Sequence, residues 1–157
     1  MNTFVGNIFS PLDDLQVLHI SHDLLSTYSR EADFHNITKV FSYDGPSNGS
    51  FAEIFSVMKN LKYLHSHIQI HVLRNCTFHA FAETPLKYLE INGKLMTIEK
   101  DTFSPLAFLS SLVIPNARFL KLSNTLPALH AFENRQMDEL NFNNNFRVHG
   151  EFIITTD

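Results

Sequence analysis

One hydrophobic phrase occurs six times along the chain: apolar, two residues, apolar, one residue, then a third inward position. It reads Leu15-Gln-Val-Leu18-His-Ile20, Ile37-Thr-Lys-Val40-Phe-Ser42 and Leu61-Lys-Tyr-Leu64-His-Ser66. It continues as Leu86-Lys-Tyr-Leu89-Glu-Ile91, Leu109-Ser-Ser-Leu112-Val-Ile114 and Met137-Asp-Glu-Leu140-Asn-Phe142. The middle anchors fall at 18, 40, 64, 89, 112 and 140, so successive copies are 22, 24, 25, 23 and 28 residues apart. The end of each phrase alternates inward and outward as a short strand does. One strand and one return per period predicts parallel strands, because parallel neighbours need a crossover between them. Such a unit cannot bury its apolar edges alone, so the copies stabilise one another by stacking. Two tetrapeptides recur in phase with the period: Phe-Ser-Pro-Leu at 9–12 and 103–106, and Leu-Lys-Tyr-Leu at 61–64 and 86–89.

The return segments are less regular. After the strand at Leu86, Leu89 and Ile91, Leu95 and Ile98 are expected to fill a turn, while Phe103 and Leu106 pad the far side. A helical turn is expected at 56–61, and a turn-rich excursion at 43–50, where Gly, Pro, Ser and Asn cluster. Pro11, Pro85, Pro105 and Pro127 favour extended or turn conformations. The last and longest step carries extra chain around 117–127. The expected fold is an α/β repeat, a single array of about six units over 1–157, with short parallel strands and irregular or short helical returns.

The spacing from Leu89 and Ile91 through Leu95, Ile98, Phe103 and Leu106 to Leu109 resembles extracellular leucine-rich repeats. It looks like those of Toll-like receptor ectodomains and Slit-type guidance proteins. The resemblance implies a solenoid arc with its strands on the concave face and its returns on the convex side. It implies a binding role and no catalytic residue. The chain departs from that pattern at the turn asparagine, whose slots hold Asp23, Gly45, Gln69, Lys94, Ala117 and Asn145. It also lacks cysteine-rich caps, so it is expected to be a segment of a longer protein, or else a divergent form capped by polar residues.

Composition narrows the partner class. With 15 Phe and no Trp among 44% hydrophobic residues, the core is expected to be filled by Phe. A net charge of −4 without a basic run argues against a nucleic-acid or anionic-membrane surface. No apolar stretch approaches the roughly 18 residues of a membrane span. The lone Cys76 excludes an internal disulfide framework; it reads as a buried small hydrophobe, or as the partner of a cysteine elsewhere. There is no Gly-rich phosphate loop, no H-E-x-x-H and no G-x-S-x-G, so no enzyme and no cofactor is expected.

The residues between inward anchors are the candidate binding surface for a protein or glycan ligand. Phe41, Tyr43, Tyr63, His65, His67, Tyr88, His19 and Glu90 fall on that face, on adjacent strands about 4.8 Å apart. Exposed aromatics there bury large area on binding at little entropic cost. His65 and His67 have a spacing that can chelate, but His19 lies about 10 Å away by strand spacing, so no metal site is assigned. His19, His22, His65 and His67 are expected to be surface groups that charge together in mild acid and make binding pH-dependent. Sequons at Asn36, Asn48 and Asn75 suit a secreted or cell-surface glycoprotein, with Asn48 the best acceptor because its turn-rich segment is expected to be exposed. The alternatives are a cytoplasmic leucine-rich adaptor and a spacer that binds nothing.

Overall fold

A computed structural model describes residues 15–27, 34–142 and 147–151. Expectations placed on Phe9, Pro11, Leu12, Asn143 and Asn145 lie outside them. The main sheet contains β1 (Val17–Ile20), β2 (Lys39–Ser42), β3 (Tyr63–His67), β5 (Tyr88–Asn92), β7 (Ser111–Val113), β8 (Gln136–Asn141) and β9 (Arg147–Glu151). The first six are parallel and adjacent in chain order; β9 pairs antiparallel with β8. Between them, β4 (Val72–Leu73) and β6 (Thr97–Ile98) form a second, two-stranded parallel sheet. The fold is therefore α/β, with a mostly parallel sheet and few helices.

The register follows the hydrophobic phrase. Leu18, Val40, Leu64, Leu89, Leu112 and Leu140 are successive cross-strand partners, and all six are buried. A second regularity sits just before the strands. The carbonyls of Gln16, Thr38, Lys62, Lys87 and Ser110 each accept two N–H groups from the following strand's start. Repeating one bifurcated bond at five junctions fixes the same entry geometry each time, whatever the intervening return does.

The returns carry the Phe-filled half of the core. Phe51 stacks on Phe78 at 5.5 Å and Phe78 on Phe103 at 5.9 Å, and Phe103 meets Phe132 at 5.4 Å. A spine with one Phe per period thus runs alongside the sheet, joined by Phe55 and Phe81 at 4.8 Å. His79–Phe81 and His130–Phe132, both His-Ala-Phe, make 3-10 turns that deliver Phe81 and Phe132. Arg135 closes the last return: its guanidinium donates to the carbonyls of Leu106, Ala107, Leu109 and Ala131 and lies over the Phe132 ring. Burial lowers the pKa of that guanidinium.

Several local expectations shift. The helical turn sits at Glu53–Val57, upstream of 56–61. Leu95 and Ile98 are buried as expected, but Ile98 belongs to β6 rather than a simple turn. Pro127 lies inside a helix, α2 (Leu122–Leu129), which with the 3-10 turn Ala117–Phe119 takes up the extra chain of the last step. Pro127 is on its exposed side, where water can satisfy the carbonyl that the missing N–H leaves free. A short α1 (His22–Thr27) follows β1.

In place of the turn asparagines, main-chain bonds cross the strand exits. Gly45 N donates to His67 O, Ile68 N to Asn92 O at 2.7 Å, and Ile114 N to Asn141 O at 2.8 Å. Glycine makes two of these crossings possible. A Cβ on Gly45 would fall inside the Ile68 side chain. One on Gly93, whose φ is +154°, would lie 2.5 Å from the Ile68 carbonyl oxygen.

Candidate recognition face

Along β1, β2, β3, β5 and β7 buried and more accessible positions alternate, so the intervening side chains form columns on the solvent side of the sheet; β8 is less regular, and its Asn141 is buried. One column runs Val17, Lys39, Tyr63, Tyr88, Ser111 and Glu139; the next runs His19, Phe41, His65, Glu90, Val113 and Asn141. Parallel register brings residues some two dozen positions apart in sequence into direct contact.

Those contacts tie most of the expected residues into two linked groups. The His19 ring stacks on Phe41 at 4.5 Å and 10°, and Phe41 meets His65 at 5.9 Å. His19 Nδ1 hydrogen-bonds the Tyr43 hydroxyl at 2.8 Å, extending the group to the most exposed aromatic of the face (65% accessible). In the neighbouring column Tyr63 stacks on Tyr88 at 5.0 Å, and the Lys39 ammonium sits 5.1 Å from the Tyr63 ring centre.

Glu90 joins the groups. It accepts the Tyr88 hydroxyl proton at 2.9 Å and lies 3.3 Å from His65 Nδ1. Burial, the bond to Glu90 and the negative charges of Glu90 and Glu139 raise the Tyr88 pKa. Tyr88 therefore remains a hydroxyl donor at neutral pH, and the carboxylate is held between ring and imidazole. Phe41, Tyr43, Tyr63, His65, Tyr88, His19 and Glu90 are thus brought together. His67 shares the β3 face but belongs elsewhere: its register partner is Asn92, and it lines a concavity with His71, Lys94 and Asn116. Among the described residues no cluster of three or more His, Cys, Asp or Glu side chains could hold a metal ion.

His22 is a correction. It was grouped with the surface histidines, yet it is 5% accessible and packs edge-on to Phe51. Its Nε2 accepts the Ala52 N–H at 3.1 Å, which requires the neutral ring with the proton on Nδ1. Burial lowers its pKa, against the opposing pull of Asp23 and Asp44. The signal was available: alternation through Leu18 and Ile20 places residue 22 inward. Beside it Asp44, missed from sequence, accepts the His22 N–H and the Ser21 hydroxyl. Burial pushes that carboxyl up, but these accepted bonds outweigh it and leave its pKa lowered.

The asparagines of all three sequons are exposed. Asn48 accepts the Ser50 N–H within its own turn, and the Asn75 N–H donates to Glu99. Cys76 is a free thiol, half-buried, whose sulfur accepts the Ser50 hydroxyl at 3.4 Å. Among the described residues no helix is long and apolar enough to cross a membrane. Comparison with protein-family models, curated proteins and solved structures finds no match.

Proposed function

We propose that this chain is a leucine-rich repeat solenoid and a non-enzymatic recognition module, binding a protein partner on the face that carries the stacked aromatics. The repeat reading draws support from the in-register anchors, the five identical strand entries and the Phe spine. The observation that carries the recognition reading is the cluster from Tyr43 through His19, Phe41 and His65 to Glu90, Tyr88 and Tyr63. Rings held by stacking and hydrogen bonds lose little freedom when a partner covers them, so little ordering entropy opposes binding. Phe41 is faced by His19 and Tyr63 by Tyr88, so a partner meets ring edges more than ring faces. Edges carry the positive part of the ring quadrupole and suit carbonyls and side chains of a protein. A glycan, which stacks on open ring faces, fits less well.

The setting we propose is the cell exterior, on the strength of three exposed sequon asparagines. The single free Cys76 instead favours a cytoplasmic adaptor as the second reading. Glycan mapping of protein from its natural source separates the two. Occupancy at Asn36, Asn48 or Asn75 supports the exterior; bare asparagines at all three support the adaptor.

A photo-crosslinking residue placed at Tyr63, with a second variant carrying it at exposed Met96 in a return, tests the face. Crosslinks to one defined protein from position 63 and not from 96 are expected. Equal capture from both positions, or none from 63, sinks the recognition reading in favour of a spacer.

A further inference from the structure

Where β3, β5 and β7 end, their exit turns enclose a concavity of about 340 Å³ lined by His67, Gln69, His71, Lys94 and Asn116, among others. Gln69 and His71 also line a second concavity of about 260 Å³ that continues to Arg74 and Asn48. The two adjoin at Gln69 and His71, and together they make a shallow groove along the exits of four strands. The geometry points to a binding site for an acidic oligosaccharide in this groove, bound through its sulfate or carboxylate groups and its hydroxyls.

Charge is the first reason. The chain has 16 acidic residues against 12 basic ones, yet neither concavity is lined by an Asp or Glu. Lys94, Arg74 and two imidazoles line them instead. Among the described residues neither Lys94 nor Arg74 has a carboxylate within ion-pair distance, so both cations remain open to an anion.

Order is the second. The floor is Ile68, pinned by the close approach of Gly45 and Gly93 and by its own bond to Asn92 O. His71 Nδ1 donates to the Lys94 carbonyl at 2.9 Å, which fixes the ring and leaves Nε2 for a ligand. Asn116 uses one amide hydrogen on Asn92 and keeps the other, with its carbonyl, available.

Shape and chemistry select the ligand. Four strand exits span about 14 Å at the inter-strand spacing, which calls for an extended molecule. Gln69 and Asn116 each offer donors and an acceptor, matching hydroxyls that both give and take hydrogen bonds. The cations match the anionic substituents. An acidic peptide would use the cations and leave much of the amide capacity unmatched.

Isothermal titration of the whole chain tests the site with five probes. They are a fully sulfated uronate-containing tetrasaccharide, its desulfated counterpart that keeps the carboxylates, a neutral chitotetraose, tetraglutamate and inorganic sulfate. At least one acidic saccharide is expected to bind, more weakly as salt rises. Preference for the first assigns sulfate as the recognised group; equal binding of the first two assigns carboxylate. Arg74→Glu and Lys94→Glu should each weaken binding by about tenfold or more, while Tyr63→Ala leaves it unchanged. Should a charge reversal fail to fold, Lys94→Ala and Gln69→Ala carry the same comparison. The site is refuted if no acidic saccharide binds, if chitotetraose, tetraglutamate or free sulfate binds as tightly, or if every groove variant retains full affinity. Because the groove is separate from the aromatic cluster, its failure leaves the proposed protein-binding face standing.

Discussion

Facing the core, the six parallel strands place Leu18, Val40, Leu64, Leu89, Leu112 and Leu140 side by side. On the opposite face, the very next residues are His19, Phe41, His65, Glu90, Val113 and a buried Asn141. The inner column is nearly one residue type repeated, because adjacent strands in register share one close-packed core and must fill it with similar apolar volume. The outer column changes size and polarity at every step, which core packing alone does not demand. Its rings nevertheless touch across strands, since the inner column has already set the register. Regularity on one side leaves the other free to hold a non-repeating pattern.

The sharpest way to break that division is to empty the inner column. Leu89→Ala removes a fully buried side chain at mid-stack and should cost about 3–4 kcal/mol in urea unfolding. Gly93→Ala comes next: a Cβ at φ +154° would meet the Ile68 carbonyl, costing about 3 kcal/mol with the backbone strain. Arg135→Met keeps the packing on Phe132 but takes the guanidinium from four carbonyls, of which Leu106 O keeps the Leu109 N–H and Ala107 O can turn to water. A loss of about 2 kcal/mol is expected, read by the same assay.

A smaller effect distinguishes the buried histidine from its exposed relatives. The folded pKa of His22 is lowered from 6.5 by burial, so below that value the unfolded chain takes up the proton more readily. Its contribution to stability is therefore complete above pH 6.5 and is lost as pH falls toward the folded pKa. The urea midpoint should drop between pH 7.5 and 5.5. His22→Gln, which can still accept the Ala52 N–H, should flatten that drop.

Much of this arrangement was legible in the sequence because a period of two specifies which side of a strand each residue takes. That sufficed to gather His19, Phe41, Tyr43, Tyr63, His65, Tyr88 and Glu90 on one face. It failed where side chains leave the strand. Lys94 and His71 are 23 residues apart and meet only because successive exits are stacked. Arg135 finds three of its four carbonyls in a return more than twenty residues earlier, with no local signal. Pro127 was read by its usual dislike of helix interiors, and an exposed position overrode it. The antiparallel β9, Arg-Val-His-Gly-Glu, has too little apolar alternation to announce a strand. His22 is the opposite case: alternation places it inward, against the usual surface preference of a polar side chain.

The central claim is that the outer face recognises a partner without contributing to the fold, and Tyr63→Ala tests it directly. Affinity for the protein crosslinked at position 63 and the urea midpoint should be measured on the same sample. The account predicts at least a tenfold loss of affinity, about 1.4 kcal/mol, with stability changed by less than about 0.5 kcal/mol. Unchanged affinity, or a stability loss approaching that of Leu89→Ala, would contradict it.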